Sequence, residues 1–201
     1  HRALGHLADV LRTGMSEKAA AWQVESFLRE HGSEAVPFEI IVASGPNSAL
    51  PHARPSDRVV SAGEPIVVDL GARTSGYCSD VTRTLCLSEA GATYRRVYDV
   101  VYSAQRAAIE LMRAGMTGGQ ADALGRTIIA ESGYADYFGH GLGHGIGLGV
   151  HEAPRLGTLS EDVLSEGMVF TVEPGVYLPD WGGVRIEDTV VMESNGISVL
   201  S

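Results

Sequence analysis

The chain has 201 residues, 44% of them hydrophobic and 20% charged, which suffices for a sizeable core and one domain over residues 1–201. Its formal net charge of −10 is spread along the chain with no run of Lys or Arg, which argues against a nucleic-acid partner. No apolar stretch is long enough to cross a bilayer, so no membrane association is expected.

In chain order, Ser16 to His31 is expected to form an amphipathic helix with Ala20, Val24, Phe27 and Leu28 on one face and Gly32 at its end. The runs "EIIVAS" and "PIVVDLG" then have the length and β-branched composition of strands. A second helix runs from about Ala92 to Arg113, with Tyr94, Val97, Tyr98, Val101, Ala108 and Leu111 on one side. A third covers Thr117 to Ser132, and Gly115 and Gly133 punctuate the pair. "MVFTVEPGVYL" and "GVRIEDTVVM" again read as strands. Hairpins in place of regular βαβ alternation make this an α+β chain. Cys78 and Cys86 lack metal-type CxxC spacing and make neither a disulfide framework nor a zinc ribbon. With no basic-then-apolar leader at the first residues, a cytoplasmic protein is expected. The chain opens on His1 and not on Met, so an upstream region is expected to be missing.

A repeat runs through this order. Residues 11–32 align with residues 112–133, and "GEPIVVDLG" aligns with "GMVFTVEPG", placing Asp69 over Glu173. After a small gap, Asp80 of "YCSDVTRT" falls over Glu187 of "VRIEDTVV". Two halves, each a helix followed by a hairpin bearing two acids, imply a pseudo-two-fold packing that brings four acids into one shared site.

Asp69 and Glu173 sit on otherwise apolar strands, where an isolated anion costs several kcal/mol or becomes neutral. Arg83 and Arg185 are near enough in sequence to give each half a structural Arg–carboxylate pair. Four converging acids exceed what two arginines neutralise, and a divalent cation relieves their repulsion. Acids plus one or two imidazoles without thiolate suit manganese, cobalt, iron or zinc, with room for two ions sharing carboxylates. Cys78, two residues before Asp80, would share its strand face, but a small buried cysteine is the simpler account.

In "GHGLGHGIGLGVHE", residues 139 to 152, glycine fills every odd position from Gly139 to Gly149. An extended conformation would project His140 and His144 to one side and let the glycines lie against neighbouring backbone. A phosphate-cradling GxGxxG loop does not fit, because position 144, where its last glycine would fall, is histidine. His151 has the opposite parity and adjoins Glu152, while His52 lies on a loop where binding and simple exposure are both open.

In this order, "VVDLGA", "GYCSDVTRT", "GHGLGHGIGLGVHE", "FTVEPGVY" and "GVRIEDTVV" resemble the metal-dependent Xaa-Pro peptidases of the pita-bread fold, prolidase and aminopeptidase P. The resemblance runs from about "LRTGMSE" to the end. It implies metal ligands Asp69, Asp80, His144, Glu173 and Glu187, with Asp80 and Glu187 bridging two divalent ions, manganese foremost. It further implies a duplicated helix-plus-hairpin fold around a curved antiparallel sheet. A metal-bridging hydroxide would hydrolyse the bond before proline, in peptides with proline at the second position, with Glu173 as general base. His52 and His151 would contact substrate and transition state, Arg185 would support the cluster, and His140 would stand nearby without binding metal. Proline-specific members usually add an N-terminal domain, which is expected to be absent here, and homodimers are compatible with the family. Methionine aminopeptidases share the ligand set but generally lack the arginines of "SDVTRT" and "VRIEDT". A peptide-binding pita-bread domain without turnover and a metal-free creatinase-like enzyme are disfavoured by the five intact ligands.

Overall fold

In the computed structural model, which describes residues 1–201, the chain passes twice through a similar order of elements. The first pass holds α1 (Arg2–Val10), α2 (Glu17–Glu30), β1 (Ile41–Ser44), β2 (Ile66–Leu70), the short pair β3 (Arg73–Thr74) and β4 (Tyr77–Cys78), and β5 (Val81–Leu85). The second holds α3 (Ala92–Leu111), α4 (Gly118–Ile129), β6 (Gly143–Gly145), β7 (Glu152–Leu156) and β8 (Val169–Val172). It continues with the hairpin β9 (Gly175–Leu178) and β10 (Gly182–Arg185), then β11 (Asp188–Glu193) and β12 (Gly196–Val199).

The duplication extends to individual hydrogen bonds. Gly14 N–H donates to the Val60 carbonyl at 2.9 Å, and Gly115 N–H donates to the Leu164 carbonyl at 2.8 Å. Val60 N–H returns to Met15 and Leu164 N–H to Met116, both at 2.9 Å. Ser16 and Thr117 then cap α2 and α4 through their hydroxyls, so each helix begins at the same step of the repeat.

Helix α1 and strand β12 are not anticipated from the sequence pattern. Ala3 and Leu7 of α1 are buried, and β12 pairs with β11 in antiparallel register. The two long expected strands each break. "MVFTVEPGVYL" parts at Glu173–Pro174 and "GVRIEDTVVM" at Ile186–Glu187. Pro174 has no N–H for a ladder, so the chain leaves the sheet there and re-forms a separate two-stranded hairpin.

The curved antiparallel sheet is hydrogen-bonded as two, in the orders β1-β2-β5 and β12-β11-β8-β6-β7. They meet where Glu187 N–H donates to the Thr82 carbonyl at 3.0 Å and Thr189 Oγ1 donates to the Asp80 carbonyl at 2.8 Å. Each has its own hydrophobic core. Leu7, Val24, Val42, Ile66 and Val68 belong to the first, and Val101, Met112, Leu142, Phe170 and Val190 to the second. The four acids stand at the seam between them.

The glycine-rich segment is extended only at β6, which lies between β7 and β8 with a register shift at His144/Gly145. A Cβ on Gly143 would collide with the Thr171 carbonyl, and one on Gly145 with the Ala153 carbonyl. Glycine there serves close backbone approach, as expected, whereas Gly139 has nothing within 4 Å of such a Cβ. Gly143→Ala is therefore expected to cost about 1–3 kcal/mol in urea unfolding, and Gly139→Ala close to none. Equal midpoints for the two variants would show that packing does not demand glycine at position 143.

Candidate metal centre

Strand alternation gathers the acids on one face. In β2, Ile66, Val68 and Leu70 enter the first core, which turns Asp69 to the opposite side. In β8, Phe170 and Val172 enter the second core, and Thr171 and then Glu173 take the opposite side. Between the two acids of each half lies a hairpin, β3–β4 or β9–β10, after which Asp80 and Glu187 stand just before β5 and β11.

All five expected ligands line one cavity of about 470 Å³, together with His52, His140, His151 and Arg185. Ligand-type atoms of Asp80, His144 and Glu187 lie within 4.8 Å of one another. His144 Nε2 is 3.3 Å from Glu173 Oε1 and 3.8 Å from Asp80 Oδ2. Asp69 Oδ2 is held by Arg185 Nη2 at 2.7 Å. The second oxygens, Asp69 Oδ1 and Asp80 Oδ1, are buried without any hydrogen-bond partner.

These groups repel one another. Burial, followed by the charges of Asp69 and Glu173, pushes Asp80 up to about 9. Burial pushes Glu173 up to about 7 against the opposing pull of Arg185, and burial with Asp80 and Glu173 nearby holds Glu187 well above the usual carboxylate range. Burial lowers His144. Its Nδ1 lies 3.0 Å from the Gly145 carbonyl and donates there, which leaves the Nε2 lone pair facing carboxylate oxygens. Acceptors confronting acceptors require protons or a cation between them. Orphaned carboxylate oxygens and one imidazole, with no thiolate, are the donor set of a hard or borderline divalent ion.

Neighbouring side chains fix the ligands. Thr82 Oγ1 donates to Glu187 Oε2 at 2.6 Å, and Thr171 Oγ1 donates to Glu173 Oε1 at 3.1 Å. Arg185, 3% exposed, spans the seam: it holds Asp69 and also donates to Tyr177 Oη at 3.0 Å and the Pro51 carbonyl at 3.2 Å. Tyr177 Oη in turn lies 2.8 Å from His140 Nε2, while His140 Nδ1 lies 2.8 Å from the Gly141 carbonyl. Burial lowers His140 to about 4, and both of its ring nitrogens are engaged, by Tyr177 and by the Gly141 carbonyl. The geometry thus separates His140 from His144, which alternation along the segment leaves equivalent. His52 and His151 are exposed at the cavity, the His151 ring 4.3 Å from that of His144.

Two pairings differ from the simple sequence expectation. Neither arginine pairs within its own half: Arg185 joins Asp69 of the first half, and Arg83 joins Asp188 of the second at 2.6 Å. Cys78 and Asp80 do not share a strand face, because the strand is interrupted at Ser79–Asp80. The Cys78 sulfur instead lies 3.4 Å from the Leu148 carbonyl. Tyr177 carries no spacing signal that ties it to the site. Thr82 and Thr171 do, standing two residues after Asp80 and two residues before Glu173.

Residues 1–194 match the model of metallopeptidase family M24. The chain belongs to that family. The Xaa-Pro dipeptidase of Pyrococcus furiosus is 46% identical over 193 residues, 96% of this chain and 56% of that protein. The solved prolidase from Pyrococcus furiosus superposes with a TM-score of 0.97 at 44% identity, covering 99% of this chain and 59% of that one. The X-Pro aminopeptidase structure from Thermotoga maritima gives 0.96 at 44% identity, covering 99% and 56%. The chain therefore has the pita-bread fold of these M24 proteins and spans little more than half their length. No helix is long and apolar enough to cross a membrane.

The raised acids set a sign for pH dependence in this M24 domain. Asp80 and Glu173 titrate above their ordinary 3.8 and 4.5 in the folded chain, so their protonation stabilises the fold in the absence of a cation. That contribution is complete below about pH 4 and is lost as pH rises through 7 and 9. In chelator, the melting temperature is expected to fall from about pH 5 to about pH 9, and added manganese to raise it most at the alkaline end. A chelated protein whose melting temperature stays flat over that range would contradict the mutual repulsion. Asp80→Ala and Glu187→Ala are each expected to abolish metal loading, read as bound metal per chain after desalting. Full metal content in either variant would rule out the cluster.

Proposed function

We propose that this domain carries the catalytic centre of an Xaa-Pro peptidase, in which Asp69, Asp80, His144, Glu173 and Glu187 would hold two divalent ions. The observation that carries the proposal is the convergence of Asp80, His144 and Glu187 ligand atoms within 4.8 Å, in a cavity that also contains Asp69 and Glu173. Manganese is the ion we favour, with cobalt, zinc and iron compatible with the same donors. Such ions, when bound, would lower the pKa of a coordinated water and offset negative charge developing on the substrate carbonyl oxygen.

The protein's part is positioning and proton transfer. Glu173, kept in orientation by Thr171, accepts the water proton and passes it to the departing proline nitrogen. His52 and His151, exposed toward the cavity, hydrogen-bond the tetrahedral carbon's oxygen and the substrate backbone. Arg185 fixes Asp69 and ties the His52 loop to the ligand cluster through the Pro51 carbonyl. Phe38, Ile41 and Val150 give the cavity apolar wall for a proline ring, and about 470 Å³ accommodates a short peptide. The similarity to Xaa-Pro dipeptidases at 46% identity favours the proline branch over methionine aminopeptidase. We extend the reading to a cytoplasmic homodimer, supported by the cysteine usage and by the family resemblance.

Mass-spectrometric product analysis with manganese, on Ala-Pro, Ala-Pro-Ala and Met-Ala-Ser side by side, tests this assignment. Chelator-sensitive cleavage of Ala-Pro alone is expected of a dipeptidase, and cleavage of Ala-Pro-Ala of an aminopeptidase. Release of methionine, or no cleavage of any peptide, would overturn it.

A further inference from the structure

Outside the metal cluster, the most heavily hydrogen-bonded acid is Glu17, the first residue of α2, whose side chain is completely buried. Its Oε1 accepts from Ser44 N–H at 2.7 Å, Ser44 Oγ at 2.9 Å and Asn47 Nδ2 at 3.2 Å. Its Oε2 accepts from Asn47 Nδ2 at 3.0 Å, Ser56 N–H at 3.0 Å and Ser56 Oγ at 2.6 Å. Every one of these groups is a donor. Burial opposes ionisation, yet the hydrogen bonds from Ser56 and Ser44 outweigh it and hold the carboxyl below its ordinary range.

Ser44 and Ser56 are the two stalks of one loop. Between them run a 3-10 turn, Gly45–Ala49, then Pro51 and the exposed His52 and Arg54 at the cavity rim. The far end of the loop is fastened by Arg185 on the Pro51 carbonyl, by Ser48 Oγ, which accepts from Gly183 N–H, and by an exposed Arg54–Glu39 ion pair at 3.1 Å. The repeat supplies a control within the molecule. At the matching start of α4 stands Gly118, without a side chain, so the duplicated framework folds without an acid there. The carboxylate occurs in the half whose loop bears His52.

We propose that Glu17 is a positioning residue whose carboxylate clamps both stalks of the 44–56 loop and thereby sets where His52 stands over the cavity. This rests on the proposed peptidase reading for its effect on turnover, and not for its effect on the loop. Glu17→Gln keeps the shape but turns an amide N–H₂ toward the backbone N–H of Ser44 or of Ser56, which can only donate, so the clamp opens on at least one stalk.

Hydrogen-exchange mass spectrometry and steady-state kinetics on the full chain test it together. Glu17→Gln is expected to speed exchange in peptides covering 44–56 while those covering 139–149 match the parent. It is expected to lower kcat/KM on Ala-Pro about tenfold with metal content unchanged. In a His52→Ala background the same substitution is expected to have little further effect, which a merely destabilising change would not show. Unchanged exchange in the loop, or an undiminished loss in the His52→Ala background, would overturn the proposal. Should Glu17→Gln fail to fold, Asn47→Ala removes the amide that spans both oxygens and carries the same readouts. A parent chain without Xaa-Pro cleavage would sink the peptidase reading, and the exchange result alone would then decide whether Glu17 clamps the loop.

Discussion

Mutual repulsion among carboxylates in a desolvated seam is the constraint around which this domain is arranged. Asp69, Asp80, Glu173 and Glu187 share one cavity, and of these four acids Arg185 holds one, Asp69. A protein selected for stability alone would not gather four carboxylates there, Asp80 and Glu187 buried and Asp69 and Glu173 half-buried, with two oxygens orphaned, because each unpaired group carries its full desolvation cost. The surrounding structure acts to keep the acids where repulsion would drive them apart. Thr82, Thr171 and the Asp69–Arg185 pair tie three of them individually, and two independent cores hold the strands that carry them.

That division of labour explains the neutral histidines. His144 is oriented through Nδ1 by the Gly145 carbonyl, and His140 is spent on Gly141 and Tyr177. The two rings come from one alternating segment and differ in role because of what each second nitrogen meets. The glycines around them matter for a different reason, since the backbones of β7 and β8 approach β6 too closely for any Cβ at Gly143 or Gly145.

Much of this was legible in the sequence wherever the signal was local. The helices at Ser16–His31 and Ala92–Arg113 follow from apolar periodicity, and they lie within a few residues of α2 and α3. The duplication and the pairing of Asp69 with Glu173, and of Asp80 with Glu187, follow from aligning the halves, which the matched bonds at Gly14 and Gly115 bear out. What was not legible depends on the seam. Arg185 choosing Asp69, Tyr177 joining His140 to Arg185, and Glu17 reaching Ser44 and Ser56 are contacts between distant segments that no spacing rule encodes. Helix α1 is short, and its apolar face is narrow, so it is recognised only by what it packs against.

The division into two cores also bears on how the chain reaches this state. Contacts inside each core close short loops, such as the hairpin β9–β10 and the helix pair α3–α4. The contacts that complete the ligand cluster join residues 105 to 116 positions apart: Thr82 to Glu187, Arg83 to Asp188 and Asp69 to Arg185. Loop-closure entropy makes such pairings slow, and they bring repelling acids together without any apolar surface of their own to drive the step. By this topology the seam carries the largest loop-closure cost, so the ligand cluster is also the part whose assembly a divalent ion has most power to assist.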